Sequence, residues 1–253
     1  MRIVSLLPSA TEIVYALGLG EELVGRTHEC DFPPDVESVP VMTADVAGSV
    51  TESGRDIHER VTGSVHAGSS IYRLDTQALA AARPDLILTQ ELCEVCAVSY
   101  RDVSQAVREM GREDGAEISI VSLEPTSLEG ILNTISTVGA MAEAEDEAVG
   151  LMEILRERLG AIENRVLERR LSGTRPRRVV CLDWLDPPFA AGHWVPEQVR
   201  RAGGWDLLGT AGERSRETTW EVVREVDPEQ LMLMPCGFDT TRTVDEFDRM
   251  SRP

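Results

Sequence analysis

The 253-residue chain contains no lysine: all 25 of its basic residues are arginine, set against 44 Asp and Glu for a net charge of −19. So acidic a chain repels phosphate backbones and anionic lipid surfaces, which argues against nucleic acid or a membrane as its partner. No apolar run approaches the ~20 residues needed to span a bilayer. The opening Met1-Arg2-Ile3-Val4-Ser5-Leu6-Leu7-Pro8 lacks a signal-peptide core and a small-residue cleavage site, so the sequence as it stands is expected in the cytoplasm, or outside it if a leader was removed. Cysteine is scarce. The five residues, at 30, 93, 96, 181 and 236, are odd in number and irregular in spacing, which fits a reduced compartment better than a disulfide framework. Missing too are a Ser-His-Asp grouping, a Walker loop, a GxGxxG fingerprint and an HExxH helix, so nothing points to hydrolase, kinase or dehydrogenase chemistry, and no catalytic residue is nominated.

What is present is an alternation. Arg2 to Leu6 is a short apolar run, and Ser9-Ala10-Thr11-Glu12 has the form of a capping box opening a helix through Ile13, Val14 and Leu17 that stops at Gly18. Leu23-Val24-Gly25, Leu86-Ile87-Leu88-Thr89 and Ile118-Ser119-Ile120-Val121 read as further strands, with helices at Leu79 to Ala82, opened by Asp75, and at Tyr100 to Met110. Residues 43–70 read as a surface excursion with a short helix, and His58 and His66 as its surface residues. From a second capping box at Thr126-Ser127-Leu128-Glu129 to about Arg170 no proline interrupts two apolar stripes, predicting some 40 residues of nearly continuous helix, about 60 Å long. Strand and helix then return: Val179 to Leu182, Pro196 to Arg201, Thr219 to Val226 and Leu231 to Met234.

This order of motifs resembles the cobalamin and iron-complex substrate-binding proteins of ABC importers, especially the vitamin B12-binding type. The resemblance rests on Ile3 to Glu12, Leu23-Val24-Gly25, Asp31-Phe32-Pro33-Pro34, Leu79 with Pro84-Asp85-Leu86-Ile87, the long helix, Asp186-Pro187-Pro188-Phe189 and Gly203-Gly204. It implies an α/β fold of two Rossmann-like lobes with parallel sheets, joined by a single long helix, with a ligand cleft between the lobes. The expected division is an N-terminal lobe over 1–125, the linking helix over 126–171 and a C-terminal lobe over 172–253 that is shorter than in the family. The implied function is non-catalytic binding of cobalamin or a related corrinoid or metal chelate, by a monomer.

In open parallel sheets ligands gather at the carboxyl ends of the strands. Segments there nominate Pro8, Ser9, His28, Glu29, Gln90, Trp184, Phe189, His193, Trp194 and Phe238 as ligand-binding residues, the aromatics to cover a flat macrocycle and the polar groups to orient it. Trp205 and Trp220 are assigned to packing. Cys93-x-x-Cys96 carries three readings: a thiol-redox pair, a zinc clip completed by Cys30 and His28, with His66 and His193 as further candidate ligands, or two small apolar thiols packed at a lobe edge. Importer-bound members dock to a permease through one acidic residue on each lobe. Glu221 fits the C-terminal position, although it also completes a capping box with Thr218, whereas the N-terminal counterpart falls on Gln77, which has no charge.

Overall fold

The computed structural model describes residues 1–45, 52–66, 72–90, 98, 100–110 and 117–250. In chain order the elements are β1 (Ile3–Ser5), α1 (Pro8–Ala16), β2 (Leu23–Arg26), β3 (Thr43–Asp45), α2 (Gly54–His66), β4 (Tyr72–Leu74), α3 (Thr76–Ala82), β5 (Leu86–Thr89), α4 (Tyr100–Met110), β6 (Ser119–Ser122), α5 (Leu128–Met141) and α6 (Glu145–Leu171). They continue with β7 (Arg177–Leu185), β8 (Pro188–Ala190), α7 (Val195–Arg201), β9 (Gly204–Asp206), β10 (Arg216–Glu217), α8 (Trp220–Glu225), β11 (Gln230–Leu233) and α9 (Thr240–Arg249). The chain falls into two compact units: Met1–Ser49, Val61–Glu124 and Leu132–Met152 form the first, and Val50–Arg60, Pro125–Ile131 and Glu153–Pro253 the second.

The first unit is built on a parallel sheet in the order β2-β1-β5-β6. Every residue of β1 and β5 is buried, as expected of strands covered on both faces, and this is why they read in the sequence as unbroken apolar runs. One face packs Val4, Leu6, Leu79, Ile87, Val98 and Val103 into a common core. Helix α3 starts as expected, the Asp75 carboxylate accepting from the amides of Gln77 and Ala78. Helix α1 does not. It begins at Pro8, one residue before the anticipated cap, with proline in the first turn and Leu7 making no side-chain cap.

Two differences from the sequence reading have plain causes. The helical stretch expected over 126–171 is two helices, α5 and the 27-residue α6, divided where Glu143 takes a left-handed backbone at φ 56°. Gly139 permits the close return, because a Cβ there would lie 2.5 Å from that of Ala148. Ser127, not Thr126, caps α5, its hydroxyl accepting from the Gly130 amide at 3.0 Å.

The second unit has a mixed sheet, β10-β8-β7-β11 with β9 also on β7, in which β7 runs parallel to β9 and β11 but antiparallel to β8. It is therefore not the all-parallel sheet expected, since the two residues Asp186-Pro187 are too short a link for a parallel crossover. Along β7 the side chains alternate: Val180 and Leu182 join Leu185 and Val223 in one core, while Val179 and Cys181 join Ala191 in another. Trp220 packs against the first of these and donates its indole N–H to Leu185 O at 3.3 Å, as its packing assignment requires. Trp205 does not pack, being 65% exposed. No described helix is long and apolar enough to cross a membrane.

Candidate functional site

At the carboxyl edge of the first sheet, hydroxyls tie the strand ends together. The Ser5 hydroxyl donates to Leu7 O at 2.9 Å, and the Thr11 hydroxyl donates to Ser5 Oγ at 2.8 Å. With the single proton of Thr11 committed, its 3.0 Å contact with Cys30 Sγ has the thiol as donor. Cys30 is buried, and burial pushes its pKa up, so the group is a protonated thiol closing a chain of hydrogen bonds.

The His28 amide donates to Thr43 Oγ1 at 3.1 Å, and Nδ1 of its ring lies 2.7 Å from the same oxygen. Its ring also packs on Tyr72, the centroids 5.4 Å apart. Nε2 lies 3.2 Å from Glu29 Oε1 but makes no aligned hydrogen bond, so the pairing is one of charge when the ring is protonated. The His28 ring is also what holds the Glu29 carboxyl below the usual range, against the opposing effect of burial. Pro8 opens α1 and Ser9 is exposed beside it. Gln90 is buried and donates from Nε2 to Leu123 O at 3.1 Å, a bond that braces the ends of β5 and β6. Cys93 and Cys96 lie outside the described residues, and among the described residues no group of three His, Cys, Asp or Glu could hold a metal ion.

In the second unit the β7 to β8 register sets Phe189 directly opposite Trp184, and Phe238, following β11, meets Trp184 edge-on with centroids 5.4 Å apart. Arg242 of α9 lies over the Phe238 ring, 3.8 Å from its centroid. Three of the aromatics expected at the site are thus gathered at one edge, and the Trp184 indole N–H is buried without an acceptor among the described residues. His193 and Trp194 form a second pair, 5.9 Å apart. His193 adopts φ 51°, held by its amide to Glu213 O at 2.6 Å and by its carbonyl, which accepts from the Gly212 amide at 2.8 Å. Sequence reasoning missed the support beneath this loop: Ser215 accepts from the Gly192 amide at 3.2 Å and donates to Asp183. His58, expected at the surface, is half-buried, and its ring faces that of Phe189 at 5.7 Å, a contact the sequence reading did not foresee. His66 is the last residue of α2.

A shallow groove of about 450 Å³ lies elsewhere on this unit, floored by Val179, Cys181, Val199 and Met232 and rimmed by Arg169 and Arg170, and none of the expected residues lines it.

Residues 3–250, nearly the whole chain, match the model of a family described as periplasmic binding protein. The chain belongs to this family. Among relatives it is similar to an uncharacterized ABC transporter substrate-binding lipoprotein of Bacillus subtilis, 26% identical over 164 residues that cover 65% of this chain and 41% of that one. It is also similar to the vitamin B12-binding protein of Pectobacterium atrosepticum, 22% identical over 190 residues that cover 75% of this chain and 55% of the other. The chain thus spans about half the length of these relatives. Among solved structures, a periplasmic heme-binding protein of Pseudomonas aeruginosa shares the fold with a TM-score of 0.69 at 18% identity, over 97% of this chain and 75% of that one.

In this periplasmic binding protein the residue matched to permease docking, Glu221, is exposed in the first turn of α8, 3.5 Å from Arg224. Thr219 rather than Thr218 caps that helix, accepting from the Val222 amide at 3.3 Å. Gln77 is likewise exposed, in the first turn of α3.

Asp183 offers a direct test of the site's electrostatics. Burial raises its pKa above the ordinary 3.8, only partly countered by the Ser215 hydroxyl, the residue's own amide and the charge of His193. A carboxyl whose folded pKa lies above its unfolded one binds more protons when folded, so stability falls as pH rises from the unfolded value through the folded one. Asp183→Asn, which keeps an acceptor for Ser215, is therefore expected to raise the unfolding midpoint at neutral pH. The gain should shrink as pH falls through the raised pKa and vanish below the ordinary aspartate value. Denaturant titrations across that range check it, and a gain that persists in acid would show that the charge is not the cause.

Proposed function

We propose that the chain is a non-catalytic receptor for a flat metal chelate, with cobalamin the first candidate and heme or an iron complex of the same class as the others. The observation that carries this reading is the Trp184, Phe189 and Phe238 cluster at one edge of the second sheet, with an indole N–H that lacks an acceptor. Aromatic faces desolvate a macrocycle, and a buried donor rewards a ligand that brings an acceptor. His193 and Trp194 of the same unit would orient the ligand's polar periphery. The relatives' names support the same ligand class.

In this reading the chain divides at 1–125, 126–171 and 172–253, acts as a monomer, and delivers to an ABC permease through Glu221. The names of the relatives, one of them a lipoprotein, favour a setting outside the cytoplasm over the cytoplasmic one expected from the sequence. The zinc or thiol-redox alternative gains no support from Cys30, whose thiol is a hydrogen-bond donor to Thr11.

Titrating the purified protein with cyanocobalamin and, separately, hemin, while following their visible spectra, tests the proposal. A saturable one-to-one shift at micromolar concentration is expected for one of them. No binding of either at tens of micromolar would remove the assignment.

A further inference from the structure

The aromatic edge of the second unit is already covered by this chain's own residues. Gly54, the first residue of α2, donates its amide to Glu246 Oε1 at 2.6 Å, and Glu246 is itself only 5% exposed. A carboxylate there takes up one of the unpaired N–H groups of the helix start and opposes the positive end of the helix dipole. The next residue, Arg55, grips Asp186 through two bonds of 3.1 and 2.6 Å, immediately after the β7 strand that carries Trp184. One turn on, His58 lies against Phe189. The helix start lies close to both partners: a Cβ at position 54 would sit 2.9 Å from Glu246 Oε1 and in ordinary contact, 3.8 Å, with Trp184 Cζ2. A single helical turn thus lies over both Trp184 and Phe189.

We infer that the first turn of α2 is a built-in competitor for the aromatic edge, pinned by Glu246 and Asp186, and that a ligand stacks on Trp184 and Phe189 only when this turn is released. The inference rests on the ligand site proposed above. Where the competent state is a minor fraction of the molecules, the apparent dissociation constant is the intrinsic one divided by that fraction. Loosening the pin should therefore tighten binding without touching a residue that holds the ligand.

The test compares Arg55→Ala, the double variant Arg55→Ala with Glu246→Ala, and Glu246→Gln, which keeps an acceptor oxygen for the Gly54 amide. Two quantities are read: amide hydrogen exchange over residues 53–60, and affinity for cyanocobalamin and hemin. Faster exchange with affinity tightened about threefold in the single variant and about tenfold in the double one is expected, with Glu246→Gln close to wild type. Should the double variant fail to fold, Arg55→Ala alone decides, because that side chain is exposed. Faster exchange with unchanged or weaker affinity would overturn the competitor, making α2 bystander or binding wall. Unchanged exchange would overturn the pin. If neither chelate binds the wild type or any variant while exchange responds as expected, the functional reading fails and the competition fails with it.

Discussion

Replacing Gly192 by alanine is expected to destabilise the second unit by ~3 kcal/mol, the upper end of what overpacking costs. The added Cβ would lie within 2.6 Å of Arg214 C and Ser215 N and closer still to Glu213 O, all of them backbone atoms that cannot rotate aside. The same segment anchors His193 through Glu213 O and holds the Ser215 hydroxyl against Asp183, so relief of the clash would also displace the loop carrying His193 and Trp194. All four tryptophans, at 184, 194, 205 and 220, belong to the second unit, so guanidinium unfolding followed by tryptophan fluorescence reads this unit selectively. Gly160→Ala is the matching control. It lies inside α6 with nothing within 4 Å of the added carbon, and there the same substitution is expected to stabilise by ~0.5–1 kcal/mol. Equal effects at the two positions would mean that close approach at Gly192 is not what matters.

The parts of this fold that were legible in the sequence are those where burial and local pattern coincide. β1, β5 and the centre of β7 are apolar on consecutive positions because both faces are covered, and Asp75 stands directly before the helix it caps. β3, β4, β8, β9 and β10 run for only two or three residues, too short for any alternation to emerge. Helix α9 escaped notice for another reason: its fully buried positions are Thr243 and Glu246, and within the helix only Phe247 joins the apolar core beside them. Glu246 faces inward because it bonds to Gly54, 192 residues away, and no local pattern contains that partner. The division between α5 and α6 follows from Glu143 in a left-handed conformation, without the glycine or proline that would have announced it. The site shows the same split. Aromatic residues near strand ends could be nominated by type, but what joins Trp184, Phe189 and Phe238 is the register of β8 on β7 and the return of the chain after β11.

That convergence makes Trp184 the residue on which ligand affinity should depend most. Trp184→Ala is expected to weaken chelate binding at least about 30-fold, equivalent to ~2 kcal/mol, the scale of a central aromatic anchor. Two contributions are lost together: the indole face, on which Phe238 packs edge-on and opposite which Phe189 stands in the β7–β8 register, and the buried N–H, which has no acceptor among the described residues. Trp184→Phe separates them, since it keeps an aromatic face and removes the donor, and an intermediate loss is expected. Trp205→Ala, which removes an indole that is 65% exposed, should leave affinity unchanged. Because Trp184 also lies beside Gly54, its removal loosens the first turn of α2, an effect that by itself would tighten binding. A net loss therefore means that the indole contributes more to the bound ligand than to the contact that excludes it. Tighter binding by Trp184→Ala would place the ligand elsewhere and leave this tryptophan as the seat of α2 alone.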